Sequence, residues 1–178
     1  MMLAVALLWG FAEATLFFIV PDVWISFVAV RRGWKAGVLA AYVACVGALL
    51  GGFVMYLWGN RDAEAARHVL DLVPAISPAM VAGAGEDMRL NGLIAMLTGA
   101  FTGVPFKIYA LEAGALKTGL IPFLMMALAA RFTRFALAAL IAAAAVQGLR
   151  HFLSERTIML LLAAFWVLFY AWYFAVTG

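Results

Sequence analysis

Residues 36–58 form a run of 23 residues without a charged side chain. A run of this length is typical of a membrane-crossing helix, because about 20 apolar residues span the hydrocarbon core of a bilayer. Two further apolar runs occupy residues 120–146 and 157–176. The chain is 68% hydrophobic and 12% charged, whereas the apolar share of a soluble domain is about half. We therefore predict an all-α polytopic membrane protein with a single transmembrane domain over residues 1–178.

Two other apolar segments, residues 1–30 and 91–116, contain residues that break helices. The first segment is too long for one straight helix across the bilayer, and Pro21 is its natural break. The second is interrupted between Thr98 and Pro105. Irregular backbone at membrane depth is tolerated only where it is buried in protein or lines a watery cavity. We expect each segment to be a re-entrant helical hairpin beside such a cavity.

A broken segment followed by a long helix occurs twice, and this repetition predicts two inverted repeats followed by an additional C-terminal transmembrane helix. Inverted repeats with broken helices are typical of secondary transporters, whose substrate site lies between the breaks. A polar connector at residues 60–89 joins the repeats, and we expect a short amphipathic helix that ends near Pro74 and Pro78. The layout assigns two sets of basic residues to opposite faces: Arg31, Arg32, Lys35, Arg150 and Arg156 on one, and Arg61, Arg67, Arg89 and Lys117 on the other. The larger set predicts the cytoplasmic face.

Six charged residues fall within or beside the segments expected at membrane depth. They are Glu13, Asp22, Lys107, Glu112, Arg131 and Arg134. Each unpaired charge costs about 2.5 to 3.5 kcal/mol at the centre of a membrane helix, so these groups must pair, become neutral or face water. The first repeat contributes only acids and the second contributes three bases, which predicts ion pairing between the repeats.

Lys107, Arg131 and Arg134 are the candidate phosphate-binding residues, because three cations exceed the acids available to neutralise them. Arg131 and Arg134 lie three residues apart on one helix face, a spacing that lets both guanidinium groups reach one phosphate. Two structural interpretations stay open. The cations can serve only in ion pairs that join the repeats, and Arg134 can extend to the membrane interface.

Glu13, Asp22 and Glu112 are candidate counter-ions or proton-relay groups, and for Glu112 a purely structural ion pair is an equal alternative. The two histidines, His68 and His151, lie in separate polar connectors, so we expect neither a metal site nor a cofactor. The net charge of +3 is scattered along the chain, and nucleic acid is not an expected partner. The aromatic residues of the last helix are expected to face lipid and the membrane interface.

Four groups of residues carry a family resemblance. They are residues 13–23 with Glu13, Pro21 and Asp22; Gly51-Gly52 with Tyr56 and Gly59; Val104-Pro105-Phe106-Lys107 with Ala113-Gly114; and Arg131-Phe132-Thr133-Arg134-Phe135. In this order they resemble the DedA family, within the VTT or SNARE-associated Golgi protein superfamily, and more closely its small YqaA-like bacterial branch.

The resemblance implies two re-entrant hairpins that face each other in the bacterial cytoplasmic (inner) membrane. It implies a flippase or scramblase that moves phospholipid or polyisoprenyl phosphate between leaflets, with protons as a further partner in some relatives. By position it matches Glu13 and Asp22 to the family's hairpin acids, Lys107 to a basic residue of the second hairpin, and Arg131 and Arg134 to the family's paired arginines. Two alternatives stay open: a non-transporting scaffold or homodimer that uses the glycine face at residues 47–59, and an intramembrane lipid-phosphate enzyme. An enzyme is not expected, because Ser26 is the only serine in the predicted spans.

Overall fold

All the regular secondary structure is helical in the computed structural model, which describes residues 1–177. The α-helices in chain order are α1 Met2–Glu13, α2 Asp22–Arg32, α3 Trp34–Arg61, α4 Ala63–Leu70, α5 Pro78–Asn91, α6 Ala95–Thr102, α7 Phe106–Ala115, α8 Leu120–Leu149 and α9 Glu155–Thr177. A single 3-10 turn, Gly92–Ile94, joins α5 to α6. The predicted all-α class is confirmed.

Three of these helices, α3, α8 and α9, are long and apolar enough to cross a membrane. They coincide with the three long apolar runs of the sequence. The prediction of a membrane protein with three long spanning helices is therefore supported by their length and composition, and the remaining helices are shorter.

Helix α3 is the centre of the fold, and its glycines let two helices approach its backbone. A Cβ atom at Gly47 would lie 2.0 Å from the carbonyl oxygen of Leu7, and one at Gly51 would lie 2.6 Å from that of Phe11. Because both contacts advance by four residues, α1 runs parallel to α3. A Cβ atom at Gly59 would lie 2.1 Å from a carbonyl oxygen of α7. The glycine face predicted as a surface for a homodimer is thus covered by helices of the same chain.

Helices α2 and α8 run antiparallel to α3. Gly33, with φ +86°, makes the tight turn between α2 and α3, a backbone conformation that favours glycine. A Cβ atom at Gly37 would meet Ala29 of α2 and Ala139 of α8. At the other end of α3, the ring of Tyr56 stacks on Phe123 of α8. The start of α3 thus contacts the end of α8, and the end of α3 contacts the start of α8, so the two helices run antiparallel.

The two broken segments each form a pair of short helices. We call residues 14–21 the first break and residues 103–105 the second break. Pro21 closes the first break, as predicted. The second break is shorter than predicted, because residues 98–102 are helical and only Gly103, at φ +88°, Val104 and Pro105 separate α6 from α7. The Thr98 hydroxyl donates to the Ala95 carbonyl one turn earlier and so does not interrupt the helix.

The polar connector contains two helices where the sequence predicted one. Helix α4 ends at Leu70, before Pro74 is reached. Pro78 begins α5 and does not end a helix, because proline suits the first helical turn. The Ser77 side chain caps α5 by accepting from the Met80 amide. Gly83 and Gly85 lower the helix propensity of this stretch, so the sequence did not indicate α5.

Two Gly→Ala substitutions should have different effects on the melting temperature, because one lies at the close contact between α3 and α7 and the other lies at an open position. Gly59→Ala forces α7 away from α3 and should lower the melting temperature by about 5 °C, as expected for overpacking of a close interface. Gly83→Ala, at an open position of α5, should leave it unchanged or raise it, because alanine favours a helix. Cys45 is the single cysteine and is buried, so the reaction of its thiol with a fluorogenic maleimide during heating measures unfolding. Equal melting temperatures in the two variants would contradict the packing described.

Candidate functional site

Five of the six predicted charges converge between the two breaks. Glu13 ends α1 and Asp22 begins α2, so the two acids lie at opposite ends of the first break. Lys107 lies in the first turn of α7, directly after the second break, and the two arginines lie on α8. Four of the five are buried, and Arg134 is 25% exposed. The sequence prediction that acids of the first half meet bases of the second half agrees with this arrangement.

Arg131 and Glu13 form the most deeply buried ion pair of the cluster. Arg131 Nη2 donates to Glu13 Oε2, and both side chains are almost completely enclosed. The guanidinium carbon also lies 5.0 Å from the ring centroid of Phe106 and 4.5 Å from that of Phe135. Aromatic faces stabilise a cation most strongly where water is excluded. Arg131 is therefore held by one carboxylate and two rings.

Arg134 joins the two halves at the exposed side of the cluster. Its Nη2 lies 3.3 Å from Asp22 Oδ2, and its Nη1 donates to the carbonyl of Ala100 in α6 at 3.1 Å. Within residues 1–177, Asp22 Oδ2 has no partner with hydrogen-bond geometry. The Arg134 pair is thus looser and more accessible than the Arg131 pair.

Lys107 connects the second broken segment to the first break. Its Nζ donates to the carbonyl oxygen of Phe17 at 2.6 Å, and the side chain is buried. An ammonium group has three donors, so this cation satisfies a backbone carbonyl and keeps further donor capacity. The contact brings the two breaks together.

Other side chains satisfy the irregular backbone of the first break. Trp9 Nε1 donates to the Ile19 carbonyl at 2.9 Å, and the amide of Val20 donates to the hydroxyl of Tyr170 at 2.8 Å. Such groups would be costly if they faced lipid without a partner. The shape of the first break is therefore fixed by side chains of α1, α7 and α9.

Glu112 lies outside the cluster. Its two carboxylate oxygens accept from Nε and Nη2 of Arg67 at 2.7 and 2.8 Å, and its side chain is buried. This hydrogen-bonded pair docks the connector helix α4 on α7 and raises the pKa of the Arg67 guanidinium above its ordinary value. The structure thus gives Glu112 a counter-ion in the connector. Because this partner lies outside the cluster, the proton-relay role of Glu112 stays a prediction.

A cavity of about 290 Å³ adjoins the charged cluster. Its charged lining residues are Glu13, Asp22, Lys107 and Arg134. Its apolar lining comes from both breaks, from residues Val73, Pro74 and Ile76 of the connector, and from aromatic residues of α9. Arg131 does not belong to the lining. The binding of one phosphate by Arg131 and Arg134 together stays a prediction, and it would require the Arg131 guanidinium to leave Glu13.

The aromatic residues of α9 depart from the expectation that they face lipid. Trp166, Phe169, Tyr170 and Tyr173 line the cavity, and Trp166 Nε1 donates to the hydroxyl of Ser26 at 3.0 Å. Trp172, which does not line the cavity, is 62% exposed, as predicted. The spacing of three and four residues within 166–173 is the sequence signal that marks one inward helix face, and the uniform aromaticity of the helix obscured it.

The cluster carries one excess positive charge when its groups are ionised, because two carboxylates face three cations. A single anion would neutralise it, and two of the cations line the cavity. Arginine and lysine donors suit a phosphate or carboxylate group. The arrangement is chemically suited to binding one singly charged anion.

The fold and this site define a helical protein with three helices able to span a membrane and a charged cavity between two broken helix pairs. A protein of Haemophilus influenzae described as uncharacterized is similar to this chain, with 26% identity over 134 residues, 75% of this chain and 68% of the relative. No family model and no solved structure matches the chain.

The buried Arg131–Glu13 pair predicts strong coupling between two substitutions. Arg131→Met leaves Glu13 buried without its partner and should lower the melting temperature by roughly 10 °C, since removal of one member of a buried pair costs about 3 to 5 kcal/mol. The double variant Glu13→Gln Arg131→Met should be more stable than Arg131→Met alone. The Cys45 thiol assay measures both. A double variant less stable than Arg131→Met would show that the two residues do not act as a pair.

The Tyr170 hydroxyl predicts a specific loss at the first break. Tyr170→Phe leaves the Val20 amide without its acceptor, which should cost about 1 to 3 kcal/mol and lower the melting temperature by several degrees. Tyr42→Phe is the matched control, because Tyr42 is exposed and should tolerate the change. Equal melting of the two variants would contradict a role for Tyr170 in fixing the break.

Proposed function

We propose that this protein translocates a phosphate-bearing anionic lipid between the two leaflets of a bacterial inner membrane. The head group enters the charged cavity while the lipid chain stays in the bilayer. The observation that carries the proposal is a buried cluster with one excess positive charge at the meeting point of two broken helix pairs. The resemblance to the DedA family implies the same activity, and no catalytic step is part of the proposal.

The helix directions support two inverted re-entrant hairpins. The pair α1–α2 opens toward the end of α3 that holds Trp34, because α1 runs parallel and α2 antiparallel to α3. The pair α6–α7 opens toward the end that holds Arg61, because α7 runs parallel to α3. The hairpin that precedes α3 and the hairpin that precedes α8 therefore open toward opposite ends of the helix bundle. This is the architecture in which transporters place a substrate site near the membrane midplane.

The proposed binding step exchanges protein partners for the phosphate. Arg134 gives up its loose contact with Asp22, and Lys107 exchanges the Phe17 carbonyl for a phosphate oxygen. Arg131 stays with Glu13 and keeps that carboxylate from repelling the anion. Asp22 then competes with the head group for Arg134 or takes up a proton, and either route allows release.

The proposed orientation places the larger basic set at the cytoplasmic face. Two of its members, Arg31 and Arg156, line one surface depression, and a third, Arg150, donates to the Val30 carbonyl at the end of α2. These contacts support a shared face for the set, and an excess of arginine and lysine is typical of the cytoplasmic side.

A charge-restoring pair of variants tests the proposal. Arg134→Gln removes the excess positive charge and should slow translocation about tenfold, since a hydrogen bond to a charged group contributes about 1.5 to 3 kcal/mol. Asp22→Asn Arg134→Gln restores the excess and should be faster than Arg134→Gln alone. Arg89→Gln, at an exposed residue of α5, is the control and should resemble the wild type.

The measurement uses vesicles that contain the purified protein and a trace of phosphatidylglycerol labelled on its chain. Chemical reduction of the label in the outer leaflet, followed over time, gives the translocation rate. Labelled phosphatidylcholine, which has no net charge, should move more slowly. Vesicles with the folded wild-type protein that behave like protein-free vesicles would overturn the proposed function.

A further inference from the structure

Helix α9 has two faces with different surroundings. Its inward face, formed by Trp166, Phe169, Tyr170 and Tyr173, lines the cavity. On the outward face, Leu168 is 68% exposed. The described part of α9 touches the remainder of the protein along one narrow face, so a single helix separates the cavity from the surrounding lipid.

The cavity has a charged side and an aromatic side. The charged residues come from α1, α2, α7 and α8, whereas the aromatic wall comes from α9. The polar atoms of two wall residues already have protein partners, because Trp166 Nε1 donates to Ser26 and the Tyr170 hydroxyl accepts from the Val20 amide. The rings of Phe169 and Tyr173 stack, with centroids 6.1 Å apart and planes at 11°. The wall thus presents a continuous aromatic surface to the cavity.

A site divided in this way fits an amphiphile better than a free anion. A phosphate held by Arg134 would lie on the charged side, and the atoms attached to it would extend over the aromatic side. The volume of about 290 Å³ is at the small end of the range for small-molecule sites, about 300 to 1,000 Å³. It accommodates a head group and the first chain carbons, while the remainder of a lipid chain must pass α9 into the bilayer.

We propose that the inward face of α9 is a binding subsite for the first chain carbons of an anionic phospholipid, with Phe169 at its centre. The inference rests on the proposed function, because it takes the head group to be the anion in the charged half of the cavity. It adds a chain-binding surface that selects a lipid over inorganic phosphate. Trp166 lies in the same wall and serves as an intrinsic reporter of occupancy.

Tryptophan quenching by brominated lipid tests the subsite in vesicles that contain the complete protein. The probes are phosphatidylglycerol and phosphatidylcholine, each brominated on the chain carbons close to the head group and used at equal mole fraction. The Trp166 signal is the difference in emission between the wild type and Trp166→Phe. The expected result is stronger quenching of Trp166 by brominated phosphatidylglycerol, with inorganic phosphate unable to relieve it.

Two substitutions on opposite faces of α9 separate the subsite from general lipid contact. Phe169→Ala should raise about tenfold the mole fraction of brominated phosphatidylglycerol needed for half-maximal quenching of Trp166, as expected from loss of contact with one aromatic ring. Leu168→Ala, on the outward side of α9, should leave it unchanged. Phe169→Leu keeps an apolar side chain and should fall between the two, and the Cys45 thiol assay confirms that each variant is folded.

Two results would overturn the subsite: equal quenching of Trp166 by the two brominated lipids, or equal quenching curves for folded Phe169→Ala and Leu168→Ala. Translocation in the same vesicles distinguishes this failure from failure of the proposed function. Translocation without selective quenching removes the subsite and leaves the function standing. Selective quenching without translocation leaves the subsite standing and removes the function.

Discussion

The structure depends on the requirement that buried charged groups and irregular backbone find partners within the protein. Lipid offers no hydrogen bonds, so an isolated Arg131 or Glu13 would be strongly unfavourable in a span. Each group is the main partner of the other, and the rings of Phe106 and Phe135 enclose the guanidinium. This pair joins α1 to α8 and thereby ties the front of the chain to its second half.

The breaks create further polar groups, and these groups link the same elements. The carbonyl of Phe17 accepts from Lys107, and the amide of Val20 donates to Tyr170. A continuous helix over residues 14–21 would have bonded these groups internally and left α7 and α9 without polar contacts there. The first break therefore organises the cavity, since it turns backbone groups toward side chains of distant helices.

The sequence predicted the elements of this arrangement better than their partners. Long apolar runs identify α3, α8 and α9, and the separation of acids from bases indicates attraction between the halves. Which acid meets which base depends on helix rotation, and composition does not encode that rotation. Glu112 shows the consequence, because its partner Arg67 lies in the connector, where the sequence predicted an amphipathic helix and no partner for a buried acid. The inward face of α9 was missed for a related reason, since the same aromatic residue types suit lipid, a membrane interface and a cavity wall.

The two arginines of α8 are held so differently that they are suited to different tasks. Arg131 would lose a buried carboxylate and two aromatic faces if it moved, and it would leave Glu13 as an uncompensated charge. Arg134 has a longer contact with Asp22, a backbone carbonyl at 3.1 Å and a partly exposed side chain, so exchanging Asp22 for a phosphate replaces one anion by another at little cost. The spacing of three residues that suggests a shared ligand instead places one cation in the protein interior and the other at the cavity. In this arrangement Arg131 supports the fold, and the neighbouring Arg134 is the arginine that the proposed anion binding would use.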